Sequence, residues 1–70
     1  MQNLIRDKRI HMKITQEELS QRLKVSRQTI ISLESGKYNP SLVLANKLSQ
    51  VFDCRIEDLF IFEGDENIES

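Results

Sequence analysis

TQEELSQRLKVSRQTIISLESG, residues 15–36, is the stretch whose reading decides the fold. Thr15 is an N-cap hydroxyl, and Glu18 three positions on can reach back to the cap amide, which makes a capping box. Ile14 before the cap and Leu19 after it are placed as a hydrophobic staple that sets the entry angle. The arrangement repeats at Ser26, flanked by Val25 and Ile30. Gly36 stands where a left-handed residue would end the second helix. The spacing predicts two short capped helices joined at Lys24-Val25, a helix-turn-helix.

Outward from that pair, the pattern is helical. Leu4 or Ile5 to Met12 suits a first helix, with Ile5 and Met12 on one face, and Lys13 breaks away to the next cap. Met1 to Leu4 reads equally as a first turn or a short edge strand. Leu19 and Leu23 face inward on the second helix, while Glu17, Gln21 and Arg22 face out. On the third helix, Arg27–Ser35, Ile30 and Leu33 face inward and Ile31 lies to one side. Its other face carries Arg27, Gln28, Thr29 and Ser32, which are fork-shaped or short hydrogen-bonding groups. Solvation alone explains many such faces, but their clustering on the N-terminal half of one helix favours a ligand. Lys37 to Pro40 reads as a loop, since Asn39-Pro40 marks a turn. Ser41 caps a fourth helix to Phe52 with a core stripe of Leu44, Leu48, Val51 and Phe52. Ile56 to Phe60 reads as a fifth, one or two turns long. Ile61-Phe62 continues the apolar run, and GDENIES, 64–70, is an acidic tail expected to be disordered.

Seventy residues allow one small domain, expected over 1–63 with the tail behind it. The single cysteine, Cys54, excludes an internal disulfide and a cysteine-rich zinc site. No apolar run nears the roughly 18 residues of a membrane span. The N-terminus has no continuous apolar core of a secretory signal, so a cytoplasmic protein is expected. The net charge is −1, yet residues 1–47 carry +5 and residues 48–70 carry −6. Such a split gives a basic end suited to nucleic acid, although two solvated faces of unequal charge would look the same.

TQEEL, SRQTI and LESGKYNPSL, with DKRIHMKIT upstream, resemble the Cro/C1-type (XRE-like) helix-turn-helix regulators, the phage repressor group. The resemblance covers residues 5–62, nearly the whole chain. It implies an all-α fold, a compact five-helix lambda-repressor-like DNA-binding domain, with a possible two-stranded pairing between residues near 1–4 and 60–63. It implies a transcriptional repressor that binds double-stranded DNA as a homodimer on an inverted repeat. Arg27, Gln28 and Ser32 match base-contacting positions, and Thr29 could offer its hydroxyl to phosphate or its methyl to thymine. The chemistry agrees, because Arg can grip guanine and Gln adenine bidentately, each worth roughly 1–3 kcal/mol of discrimination. Thr15 and Gln16 at the start of the second helix, and Ser35, Lys37, Tyr38 and Asn39 after the third, match phosphate-contacting positions. Arg9 and Glu34 match a partly buried salt bridge. The chain departs from the pattern at Lys13 and Lys24, where glycine is usual, so both are expected to accept positive φ.

A symmetric dimer is needed on energetic grounds, since one helix reads few base pairs and specific binding must exceed non-specific binding about 10³-fold or more. The fifth helix and the segment after it are the expected interface, with Leu59, Ile61 and Phe62 as candidates against a plain core role. The rival reading is an antitoxin or interaction module whose DNA contacts are secondary and whose partner surface is the tail with Ile61-Phe62. An enzyme lacks its chemistry: His11 is the only histidine, read as a solvated or phosphate-adjacent side chain, and Cys54 reads as a semi-buried apolar residue. Nothing implies a cofactor, a metal, a membrane or a small-molecule ligand.

Overall fold

The computed structural model describes residues 2–61, and their fold is mostly helical. The order is β1 (Gln2–Asn3), α1 (Ile5–His11), α2 (Gln16–Leu23), α3 (Arg27–Ser35), α4 (Leu42–Val51), a 3-10 turn (Ile56–Asp58) and β2 (Phe60–Ile61). Each start after α1 is fixed by one hydroxyl. Thr15 Oγ1 accepts from the Glu18 amide at 3.0 Å, and Glu18 Oε1 accepts from the Thr15 amide at 2.7 Å, closing the capping box. Ser26 and Ser41 Oγ accept from Thr29 and Leu44 amides at 3.2 and 3.1 Å. Helix ends follow equally local rules. Gly36 closes α3 at φ 82°, and Lys24 closes α2 at φ 60° in the same left-handed region. Lys13 at 62° turns the chain from α1 into α2.

One core holds these elements together. Ile5, Leu19, Ile30, Leu33, Leu48 and Leu59 are fully buried, and Leu23, Leu44, Ala45, Phe52 and Phe60 pack with them. α2 lies against both α3 and α4. Ser20 and Ser49 are buried on these helices, where small residues let the backbones approach. Their hydroxyls donate to the carbonyls of Glu17 and Asn46, each at 2.7 Å, so neither leaves an unmet donor.

Three sequence expectations need correction. The fifth helix is a three-residue 3-10 turn, not one or two α-turns. The chain is diverted at Leu59, whose carbonyl accepts from the Leu4 amide at 2.7 Å. Phe60 and Ile61 then pair antiparallel with Asn3 and Gln2. Leu59 is also no interface residue: its side chain is 0% exposed and lies in the core. Met12 does not share the buried face of Ile5. α1 ends at His11, so Met12 caps the helix and stands 37% exposed. Among the described residues no helix is long and apolar enough to cross a membrane. The 64–70 tail and Phe62 lie outside the described residues.

Candidate nucleic-acid interface

α3 is anchored by Ile30 and Leu33, both fully buried, and this orientation decides which side chains face out. Arg27 and Gln28 are exposed in the first turn; Thr29 and Ser32 are half-buried along the same face. Gln28, Thr29 and Ser32 line a shallow groove together with Ser26 and the ring of Tyr38. Arg27 borders a second, larger groove of about 630 Å³, shared with Lys13, Thr15 and Gln16 at the start of α2. Seven of the expected contact residues from three separate segments (Thr15, Gln16, Arg27, Gln28, Thr29, Ser32, Tyr38) therefore edge two grooves beside the α3 N-terminus.

The commitments of these side chains differ. Thr29 Oγ1 is 3.0 Å from Ser26 Oγ, and Ser35 Oγ donates to the Ser32 carbonyl at 2.9 Å. Arg27 and Gln28 make no side-chain hydrogen bond or ion pair among the described residues. Lys37 and Asn39 are exposed in the loop after α3, beside Tyr38. Among the described residues Arg9 and Arg55 are the ion-paired cations, so Lys13, Arg27 and Lys37 present unneutralised charge.

Behind the surface sits a polar clamp. Arg9 Nε donates to Glu34 Oε2 at 2.6 Å and Nη2 to Oε1 at 3.3 Å, while Nη1 donates to the Ile14 carbonyl at 2.9 Å. Gln16 Nε2 adds a bond to Glu34 Oε1 at 3.1 Å. One carboxylate thus ties α1, the α1–α2 bend and the α2 N-terminus to the last turn of α3. With side chains only 12% and 5% exposed, the Arg9–Glu34 pair sits largely out of water. The side-chain amide nitrogen of Gln16 serves this clamp.

A helix-turn-helix family model matches residues 5–59 of the chain. Over 66 residues, the chain is 54% identical to an uncharacterized HTH-type transcriptional regulator of Archaeoglobus fulgidus, with 94% of each protein covered. It is 52% identical to another of Methanocaldococcus jannaschii, covering 94% of this chain and all of that one. Similarity extends to Bacillus subtilis, where a further such regulator is 39% identical over 90% of this chain and 96% of its own.

The chain belongs to the Cro/C1-type helix-turn-helix family.

Within this Cro/C1-type domain, two functional contacts escape a reading of motifs. Asn3 Nδ2 donates to the Leu33 carbonyl at 2.7 Å, and its Oδ1 accepts from the Ile5 amide at 3.1 Å. It therefore pins β1 to the last turn of α3 and starts α1 in the same stroke. An Asn just before a helix is a capping signal, but nothing nearby in sequence points to Leu33. The second is Gln16, whose bond to Glu34 spans eighteen residues. Leu59 lies in the core, apart from this surface, and Ile61 is half-buried in β2.

Proposed function

We propose that this regulator reads DNA by laying α3 in the major groove, as a symmetric homodimer on an inverted-repeat operator, and represses by occluding the promoter. The observation that carries this reading is the pair Arg27 and Gln28. Both are exposed in the first turn of a rigidly anchored helix, and neither has a partner among the described residues. In water an uncommitted Arg–Gln pair gains nothing from the fold; against base edges each can make a bidentate contact. Thr29 and Ser32 extend the base-reading row, with the Thr29 methyl free for thymine while its hydroxyl holds Ser26. Thr15, Gln16, Ser35, Lys37, Tyr38 and Asn39 flank that row and would fix register on phosphates, which position without specifying. Dimer symmetry would place two α3 helices about 34 Å apart, one helical turn of DNA. Occlusion asks nothing more of a unit this small.

The test separates the two kinds of contact. Gln28→Ala should reduce preference for the operator over random duplex by roughly 10-fold or more, the size of one bidentate base contact. Lys37→Ala should weaken both alike and lower the salt slope by about 0.9, one phosphate's share. Equal losses on both duplexes from both variants would contradict the assignment.

A further inference from the structure

Ile31 is the exposed large apolar side chain of α3, at 36%. Ile30 and Leu33, near it in sequence, are fully buried, and Ile31 is not part of the core that they join. With about 100° between successive residues, Gln28 lies almost opposite the mean direction of Ile30 and Leu33. Ile31 and Ser32 stand about 50° to either side of that outward line, and Arg27 about 90° from it. Ile31 therefore points outward more directly than Arg27 does, and it stands between Arg27 and Gln28, one turn further along the helix. A single exposed isoleucine is ordinary on a protein surface. This one interrupts a row of hydrogen-bonding groups on one helix face. Helix formation gives no reason for it, since a β-branched residue is a poorer helix former than Gln, Glu or Arg.

What such a group can meet is narrow. Ile31 offers neither donor nor acceptor, so phosphates and the polar base edges gain nothing from its side chain. The apolar group that the major groove presents is the C5 methyl of thymine. We propose that Ile31 is a specificity-determining residue that packs on the methyl group of a thymine, beside the bases met by Arg27 and Gln28. The inference rests on the DNA-reading function proposed above and adds to it a contact made by packing rather than by hydrogen bonding. Branching at Cβ suits this role. In a helix one χ1 rotamer dominates for isoleucine, so little freedom is lost when the side chain is pressed against a base edge. The Thr29 methyl can serve a different thymine only from the flank, since it lies about 110° from the outward line. Thr29 is also half-buried, with its hydroxyl held at Ser26.

Uracil is the probe, because it differs from thymine only by the missing methyl. Duplexes carrying the sequence that the full chain enriches from a random library are remade with each thymine replaced in turn by uracil. At one position wild type should bind the uracil duplex about fourfold more weakly, the share of one buried methyl group. Ile31→Ala should bind the thymine and uracil duplexes alike at that position. I31Q, which keeps a long side chain without the branched apolar tip, should behave as I31A does, while I31V and T29S should retain the difference. The circular dichroism spectrum of each variant should match that of wild type, because position 31 is exposed. A protein with a clear sequence preference that ignores every thymine-to-uracil change overturns this inference and leaves the DNA-reading function standing. So does a uracil penalty that is the same in I31A and I31Q as in wild type. A folded protein that enriches no duplex overturns the DNA-reading function, and this inference with it.

Discussion

Lys24 occupies a left-handed backbone position at φ 60° without the freedom of glycine, and Lys13 and Asp53 do the same at 62° and 53°. A Cβ in that region crowds the following carbonyl, at about 1–2 kcal/mol, part of which glycine regains through its larger unfolded entropy. Lys24 is exposed and lies between the two motif helices, so its side chain contributes little packing. Lys24→Gly should therefore stabilise the domain by about 0.5–1 kcal/mol in urea unfolding. A loss of stability would mean that the lysine makes up for its backbone elsewhere. Asp58 gives a residue-scale expectation in pH. Its carboxylate accepts from the Arg55 amide at 3.1 Å and from the Arg55 side chain, which hold it below its ordinary value. A depressed carboxylate stabilises the fold above its unfolded value, and that contribution is lost as pH falls through the folded one. Asp58→Asn should thus lower stability at neutral pH and flatten the acid limb below the ordinary carboxylate range. An acid limb as steep as in wild type would remove Asp58 from that role. The positive φ at Lys13 and Lys24 is legible through the resemblance to the Cro/C1-type pattern, in which glycine is usual at both positions. At Asp53 the turn closes α4 locally, since its amide donates to the Gln50 carbonyl at 3.3 Å and the Cys54 amide to the Ser49 carbonyl at 3.0 Å.

Elements were legible where their signals are local. Thr15, Ser26 and Ser41 announce three helix starts through hydroxyls that bond amides three residues away, and each lies where the sequence places it. The end of the chain's fold was not, because it is settled at long range. Ile56 to Phe60 is apolar enough for a helix, but the backbone of Leu59, Phe60 and Ile61 is claimed by Leu4, Asn3 and Gln2. Between elements, the Arg9–Glu34 pair is the decisive fastening. Removing one partner strands a buried charge, whereas replacing both does not. Glu34→Ala should cost about 3 kcal/mol by this argument, and Arg9→Met/Glu34→Leu clearly less than the sum of the single changes. A double-mutant cycle in urea measures it; additive losses would show the pair to be uncoupled. Because Glu34 also holds Gln16, the same variant should loosen α2 against α3 and weaken DNA binding beyond its effect on folding.

At the scale of the whole molecule, charge and shape point the same way. Residues 1–47 carry +5 and residues 48–70 carry −6, and the larger groove beside α3 draws on the basic stretch through Lys13 and Arg27. The grouping of Gln28, Thr29 and Ser32 could be foreseen, since the helical period sets them within about 100° of one another, while Arg27 borders the neighbouring groove. The supports of this surface could not, because Asn3 and Gln16 act through partners thirty and eighteen residues away. In the last apolar run Leu59 is core, which its apolar character alone could not decide. The measurement that bears most directly on the central claim is selection of duplexes from a random library at about 150 mM salt, near the physiological ionic strength at which surface charges are screened. An enriched inverted repeat is expected, with half-sites about 34 Å apart, one turn of the double helix. A folded protein that enriches no sequence, or enriches a single unpaired site, would contradict it.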